Sequence, residues 1–457
     1  MEVQDLLKYW SGEMIDLHKP LTIQKDYKIR KEKFGAILFH RPTLGISKTS
    51  NFVFEIYKQI DKNHYSVNEL LKLFNIADND KNNFIVFLSN LLQDGGIEYG
   101  NERTVDFQQV FENIDEEMMF QAPNMVWWYI TAACNLNCYY CYSASGCKKP
   151  DELTYEKTIN IIDQLSQIGV FYIYFLGGEP FMKERFLDII NYTYDKAGMG
   201  VMITTNGTLI NENMKETLEK VSCIRVSLDS ANEEIHNKMR RRNFSFKKCN
   251  EALKILSDLN INSFGINSTI GPDNYKNLED LYNLAKSYNC NLIQMIPVCG
   301  SGRANEAGNF LSENQRQSVK EQLTALEQKI KANNFKTILD APEGYIEKYG
   351  EEWVYKHHET PDIMGCSAGK TCLAIQQNGK VGFCLMHRNP IGNLNEQSFI
   401  EIFKNSGIIA MKNKLSFCHK CKHNEHCFGP CMVSGNTCSC EEERELVVNK
   451  TLMKKGS

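Results

Sequence analysis

The chain has 457 residues, more than a single hydrophobic core usually fills, so two or three domains are expected. Lys plus Arg number 52 and Asp plus Glu 56, a net charge of −4, which argues against nucleic acid or an anionic membrane as a partner. The first residues carry scattered charges without the apolar stretch of a signal peptide, and nowhere do about 18 uncharged apolar residues run together, so a cytoplasmic protein with no membrane span is expected.

Residues 1–120 form the first expected domain and contain no cysteine. Residues 27–31 and 35–40 alternate β-branched or aromatic side chains with polar ones and are predicted strands, the second ended by Arg41-Pro42. Helices are predicted over residues 51–60, with Phe52, Ile56 and Ile60 on one face, and over 66–73, where Ser66 is the cap and Glu69 holds the capping-box position. A third, over 82–93, is closed by Asp94-Gly95-Gly96. Strands followed by three helices make a small winged-helix-like module.

Over residues 121–345 the pattern becomes regular strand–helix alternation. Strands are predicted at 126–131, 170–176, 201–205, 223–228, 263–270 and 291–297. Helical stretches follow each; over 154–168, for example, Thr158, Ile161, Leu165 and Ile168 share a face before Gly169 ends the helix. Six such repeats predict an α/β fold, an incomplete (β/α)6 barrel whose chemistry sits at the C-terminal ends of its strands. Residues 346–457 are irregular and cysteine-rich, with a hairpin signal over 375–383. Such a segment cannot build a large apolar core, and bound metal is expected to hold it together.

In a reducing compartment seventeen cysteines are better read as metal ligands or catalytic thiols than as disulfides. None precede Cys134; four lie from Cys134 to Cys147 and nine from Cys366 to Cys440. The scattered Cys223, Cys249, Cys290 and Cys299 are predicted to pack as small hydrophobes.

Just after the first barrel strand, Cys134, Cys138 and Cys141 place three thiolates in a loop of eight residues. Three thiolates can ligate three irons of a [4Fe–4S] cube and leave the fourth iron open to a small molecule. A zinc loop completed by Cys147 is the alternative. At the end of the second strand stands Gly177-Gly178-Glu179-Pro180, where glycines let the backbone approach a ligand and Glu179 offers an acceptor to an ammonium.

This C-x3-C-x2-C loop with an aromatic before its last cysteine, followed by Gly-Gly-Glu-Pro, resembles the signature of the radical S-adenosylmethionine (SAM) superfamily. The resemblance implies that the open iron chelates S-adenosylmethionine and passes it one electron, releasing a 5′-deoxyadenosyl radical that takes hydrogen from a substrate. It further implies an external electron donor such as flavodoxin or ferredoxin. By the same resemblance Gly177, Gly178, Glu179 and Pro180 hold the methionyl amino group. Thr205 and Asn206 after strand three, and Ser227 and Asp229 after strand four, complete the cofactor pocket. Arg240 pairs with the cofactor carboxylate, Ser268 contacts the ribose, and Ile296, with Pro297, Gly302 and Arg303, lies on the adenine side.

The later cysteines resemble the SPASM domain, which binds two auxiliary [4Fe–4S] clusters and would bring the total to three. The resemblance assigns Cys366, Cys372, Cys384 and Cys431 to one cluster and Cys418, Cys421, Cys427 and Cys438 to the other, with Cys440 an equal candidate for the last place. Paired zinc knuckles are the alternative, since Cys418-x2-Cys421 is also a zinc spacing. Sulfatase-maturing relatives carry an Asp beside the ligand that Cys384 matches; Leu385 stands here, which argues against formylglycine formation.

The N-terminal module resembles the peptide-recognition element of ribosomal-peptide modifying enzymes, in which a leader peptide adds as a strand to the sheet edge. Taken together, the three regions resemble the subtilosin-type sactipeptide synthases. That implies a precursor peptide as partner and a Cys sulfur-to-carbon thioether as product. The alternatives are a carbon–carbon cross-link or other oxidative peptide modification, a sulfatase-maturing type of enzyme, and a non-catalytic iron–sulfur protein.

Overall fold

A computed structural model describes residues 15–103, 105–116, 118, 120–298, 301–331, 336–339, 368–385 and 389–412. Its first part begins with β1 (Leu21–Ile23), followed by the antiparallel strands β2 (Tyr27–Glu32), β3 (Gly35–His40) and β4 (Gly45–Thr49). Helices α1 (Asn51–Asn63), α2 (Val67–Leu73) and α3 (Lys81–Gln93) come next, then the short β5 (Ile97–Tyr99) and β6 (Val110–Phe111). The caps lie where the sequence puts them. Ser66 Oγ accepts from the Glu69 backbone while the Glu69 carboxylate accepts from the Ser66 N–H, which fixes the start of α2. Leu21, Ile29, Phe54, Ile60 and Leu70 share a buried core between sheet and helices.

The four-stranded sheet runs β4-β3-β2-β6, so β4 is an open edge, and most of its residues are exposed.

The second part is built on parallel strands: β7 (Met125–Tyr129), β8 (Tyr172–Leu176), β9 (Gly200–Thr205), β10 (Cys223–Ser227), β11 (Ser263–Ile270) and β12 (Leu292–Pro297). These lie side by side in chain order. Helices α4 (Tyr155–Gln167), α5 (Phe186–Asn191), α6 (Lys215–Leu218), α7 (Glu233–Arg240), α8 (Ser245–Ser257) and α9 (Leu278–Ser287) fall between and after them, then α10 (Arg303–Ala307) and α11 (Glu313–Lys331). In α4, Thr154 caps the start, Thr158, Ile161, Ile162 and Leu165 are buried, and Gly169 takes a φ of +85° just past the end.

Two strand ends differ from expectation by two residues. β7 stops at Tyr129 because the Thr131 hydroxyl and the Ala132 N–H both donate to the Glu152 carboxylate, which turns the chain out of the sheet. The second strand starts at Tyr172, with Phe171 N–H bonded to Asn124 O below the ladder.

More strands join than the alternation foretells. β13 (Lys336–Leu339) pairs in parallel with β12, and β14 (Cys372–Ile375) pairs in parallel with the other edge, β7. β15 (Lys380–Gly382) and β16 (Gly392–Asn393) continue antiparallel, so the predicted hairpin extends the barrel sheet to ten strands, and α12 (Phe399–Lys412) follows. Among the described residues no helix is long and apolar enough to cross a membrane.

The N-terminal module is fastened to the end of the barrel where the strands begin. Arg30 stacks on Phe171 and donates to Gly169 O at 2.7 Å, to Pro123 O, to Asn124 Oδ1 and to Glu32. Lys28 Nζ donates to Ala197 O at 3.0 Å under the rings of Phe107 and Phe111. Leu44, held at a φ of +53°, packs on Met202, Cys223 and Leu292 and plugs the base of the barrel.

Burial brings the Lys28 ammonium down from 10.5 to about 7, with the Arg41 charge pushing the same way. Between those values the unfolded chain holds a proton that the native chain has released, so stability rises with pH across that window. Urea unfolding of the full-length protein is expected to show a higher midpoint at about pH 8.5 than at pH 7, below the range in which the raised thiols of Cys249 and Cys290 work the other way. Lys28→Met removes the rise; an unchanged rise in that variant contradicts the assignment.

Candidate cluster and cofactor site

The loop after β7 is shaped before any ligand enters it. Cys134 N–H donates to Gly146 O and Gly146 N–H to Ala132 O, closing the loop at its base. Arg303 clamps its far side: Nε donates to Cys138 O at 2.9 Å, Nη1 to Ser145 O at 2.8 Å, and the backbone N–H to Cys141 O at 3.0 Å. Gly302 is needed beside it, because a Cβ there would overlap the carbonyl oxygens of Cys141 and Tyr142. The Arg303 guanidinium, on the segment that the resemblance sets on the adenine side, bonds the cysteine loop.

Cys134, Cys138 and Cys141 lie in one small apolar cluster with Leu136, Tyr139, Tyr140, Met239 and Ala304. Cys147 is exposed and outside that cluster, so the loop offers three thiols together rather than four. That donor set fits a cube with one open iron better than a closed zinc site.

Gly178 lies against this loop so closely that a Cβ would overlap Ala133 O, and its N–H donates to Thr131 O. Glu179 is fully buried and accepts from Thr205 Oγ1 and Asn206 N–H, each at 2.7 Å, and from Phe181 N–H. Burial pushes its carboxyl up to about 7, while those donors pull the other way. Pro180 starts the turn that follows. Asn206 reaches back to the loop: Nδ2 donates to Asn135 Oδ1 at 2.8 Å and lies 4.0 Å from Cys134 Sγ.

The arginine at the end of α7 is not free to take a ligand with its whole fork. Arg240 donates from Nε and Nη2 to the two carboxylate oxygens of Asp229 at 2.7 and 2.8 Å, leaving Nη1 at 3.9 Å from Cys138 Sγ. Asp229 also accepts from the Tyr140 hydroxyl and from Thr269 N–H. Its own N–H donates to Nδ1 of His236, a ring that burial lowers to about 3 and so keeps neutral. Asp229, expected to touch the cofactor, therefore serves as the anchor that aims Arg240. Tyr140 was missed as its partner; the signal was present, since it is the aromatic residue just before Cys141.

Strand alternation decides the remaining positions. Ile224 and Val226 pack under the helices, so Cys223, Arg225 and Ser227 face the lumen, as Ile296 does on β12. Ser268 shares a face with the core residues Ile266 and Ile270, is fully buried and bonds Asp229 O. The Ser268 side chain is thus turned away from the lumen, and Asn267 and Thr269 take the inward positions.

Cys223, Cys249 and Cys290 are buried as predicted; Cys299 lies outside the described residues. Of the expected auxiliary ligands, Cys372 is buried at the start of β14 and Cys384 is half-buried. Ala374 pairs with Gly382, and continuing that antiparallel register by two residues puts Cys384 across from Cys372. Cys366, Cys418, Cys421, Cys427, Cys431, Cys438 and Cys440 lie outside the described residues.

Residues 128–285 match the Radical SAM superfamily, and residues 366–427 match SPASM, an iron–sulfur cluster-binding domain. The AdoMet-dependent heme synthase of Methanosarcina barkeri is 28% identical over 329 residues, covering 68% of this chain and 92% of that protein. Mycofactocin maturase MftC of Mycobacterium ulcerans is 27% identical over 322 residues, covering 68% and 84%. The crystal structure of Streptococcus suis SuiB bound to precursor peptide SuiA has a TM-score of 0.66 at 16% identity, covering 91% of this chain and 96% of that one. The chain thus carries an α/β radical SAM domain followed by a C-terminal SPASM domain.

Proposed function

We propose that the protein is a maturase of a ribosomally made precursor peptide, binding S-adenosylmethionine beside a cluster on Cys134, Cys138 and Cys141 and joining a precursor Cys sulfur to a carbon of another residue. The observation that carries this is the fold shared with SuiB, a protein seen holding its precursor peptide. The likeness spans 91% of this chain, too much to leave out the N-terminal module. The heme synthase and MftC align over 68%, which the barrel and the C-terminal region could supply alone.

In this proposal Glu179, held by Thr205 and Asn206, accepts the methionyl ammonium, with Gly177, Gly178 and Pro180 shaping the approach. Arg240, aimed by Asp229, presents Nη1 beside the cluster loop, and Ser227 and Ile296 line the cofactor's side of the lumen. Bound there, cluster and cofactor supply one electron from an external donor such as flavodoxin or ferredoxin and a radical that removes hydrogen. The leader peptide adds to β4, which stands at the edge of the four-stranded sheet, by strand addition.

Forming the bond removes two hydrogens, so a second electron has to leave the substrate. Two auxiliary [4Fe–4S] clusters on the SPASM cysteines, Cys372 and Cys384 sharing one, are the acceptors proposed. Leu385 offers no base for aldehyde formation, whereas a peptide thiol deprotonates near neutral pH without help.

The test is co-expression with a short precursor, followed by mass measurement and thiol alkylation. A product two hydrogens lighter, with one Cys no longer alkylated, is expected, and removal of the leader lowers its yield at least several-fold. A lighter product whose Cys still reacts refutes the thioether and favours a carbon–carbon link, which has the same mass.

A further inference from the structure

Four arginines among the described residues are more than nine-tenths buried: Arg30, Arg41, Arg225 and Arg240. Three of them pair with a carboxylate, Arg30 with Glu32, Arg41 with Asp26 and Arg240 with Asp229. Arg225 has no carboxylate partner among the described residues. A buried guanidinium keeps its charge, so a site that gives it no carboxylate among the described residues favours an anionic partner.

Its position says where that partner comes from. Arg225 is at the middle of β10, and its Nη1 reaches Tyr174 on β8 and Gln294 on β12, each two strands away, so the side chain spans the concave interior of the barrel. The Cys223 side chain also bonds the guanidinium, which lies 5.6 Å from the centre of the Tyr174 ring; none of these partners is a carboxylate, and Nε has no hydrogen-bond partner. Within the spans of β7 to β12, no other inward-facing position carries a charged residue.

Water reaches this interior. Along β8, β9 and β11 the inward residues Tyr174, Thr204, Asn267 and Thr269 are half-buried, while their outward neighbours Phe175, Ile203, Ile266 and Ser268 are fully buried. Asn267, one strand over, also has an unpartnered Oδ1. Arg225 lies two residues before Ser227, about 7 Å deeper along the strand than the rim that faces the cluster loop. On the proposed function, a group bound there lies deeper than the cofactor residues at the rim, where the substrate would be drawn in.

The geometry points to Arg225 as the receptor for a carboxylate of the substrate, so that the part of the substrate drawn into the barrel bears an acidic group. Arg suits this because its fork matches a carboxylate with two parallel hydrogen bonds, and Nε with the Nη beside it forms one such edge. In a peptide the carboxylate is either an Asp or Glu side chain or the C-terminus. The assignment concerns the lumen and holds for any substrate.

Calorimetric titration of the reconstituted holoenzyme, loaded with S-adenosylmethionine, tests it with two probes of equal shape, 3-phenylpropionate and 3-phenylpropionamide. The acid is expected to bind at least about tenfold more tightly than the amide. Arg225→Gln abolishes the preference and Arg225→Lys keeps part of it. Equal binding by the wild type, no binding of the acid, or a preference that survives Arg225→Gln overturns the assignment; the wild-type ratio decides alone if the Gln variant does not fold.

Two further probes separate the sources, a C-terminally amidated tetrapeptide containing Glu and its Gln counterpart with a free C-terminus. Binding of the first identifies a side-chain carboxylate, and binding of the second a terminal one. If the small acid binds and neither leaderless peptide does, the lumen assignment stands, and the peptide substrate is decided separately by the co-expression assay with the leader-bearing precursor. Peptide binding indifferent to charge sinks the lumen assignment and leaves the peptide substrate standing.

Discussion

Alanine in place of Cys134, Cys138 and Cys141 together is expected to abolish S-adenosylmethionine cleavage and to lower the iron of anaerobically reconstituted protein from about twelve to about eight atoms per chain. The three thiols share one apolar cluster, and Cys147 is exposed outside it, so among the described residues no fourth thiol joins that cluster to replace them. The loop itself should survive, because its shape rests on backbone bonds to Gly146 and on the Arg303 clamp rather than on metal. Cys372→Ala should behave differently. On the proposed function it costs about four irons and stops peptide modification while some uncoupled cleavage remains, because the cluster proposed there would accept an electron rather than open the cofactor. Iron counting, Mössbauer spectroscopy and 5′-deoxyadenosine release are the measurements. A triple variant that still cleaves the cofactor, or a Cys372 variant that loses cleavage and modification equally while folded, contradicts this division of labour.

Asp229→Ala is expected to destabilise the protein by about 3–5 kcal/mol, the usual effect of removing one partner from a buried ion pair. The carboxylate is fully buried and accepts from Nε and Nη2 of Arg240, from the Tyr140 hydroxyl and from Thr269 N–H. Removing it strands a buried guanidinium next to the cysteine loop and unties Tyr140 from strand β11. Denaturant unfolding of the full chain, wild type against variant, measures the loss. Pairing the change with Arg240→Met should recover much of it, since the double variant no longer buries a lone charge. An Asp229→Ala protein as stable as wild type would show that the pair is not what holds this corner of the barrel. Cofactor affinity gives a separate readout: the double variant, though stable, should bind S-adenosylmethionine more weakly, because nothing presents Nη1 beside the cluster loop.

What the sequence determines by itself here is whatever a few neighbouring residues can enforce. Three cysteines within eight residues must share a loop, Ser66 and Glu69 close a capping box across one turn, and Gly169 ends α4 at a φ that a glycine takes without strain. Periods of two and of 3.6 residues likewise place β7 to β12 and most helices to within a few residues, since each element must turn one face to a core. The tertiary structure alone decides which distant groups meet. Asp229 lies close in sequence to Arg240, yet the pairing depends on α7 folding back over the end of β10. Arg30 and Lys28 read as ordinary strand polar residues, and only docking against Phe171, Gly169 and Ala197 buries them. Ser268 and Thr269 are adjacent and chemically alike, and the phase of β11 alone sends one under the helices and the other into the lumen. β13 and β14 escape the alternation for the same reason. A strand of four residues has too little pattern to announce itself, and it becomes a strand because β12 and β7 offer open edges whose backbone groups must be paired.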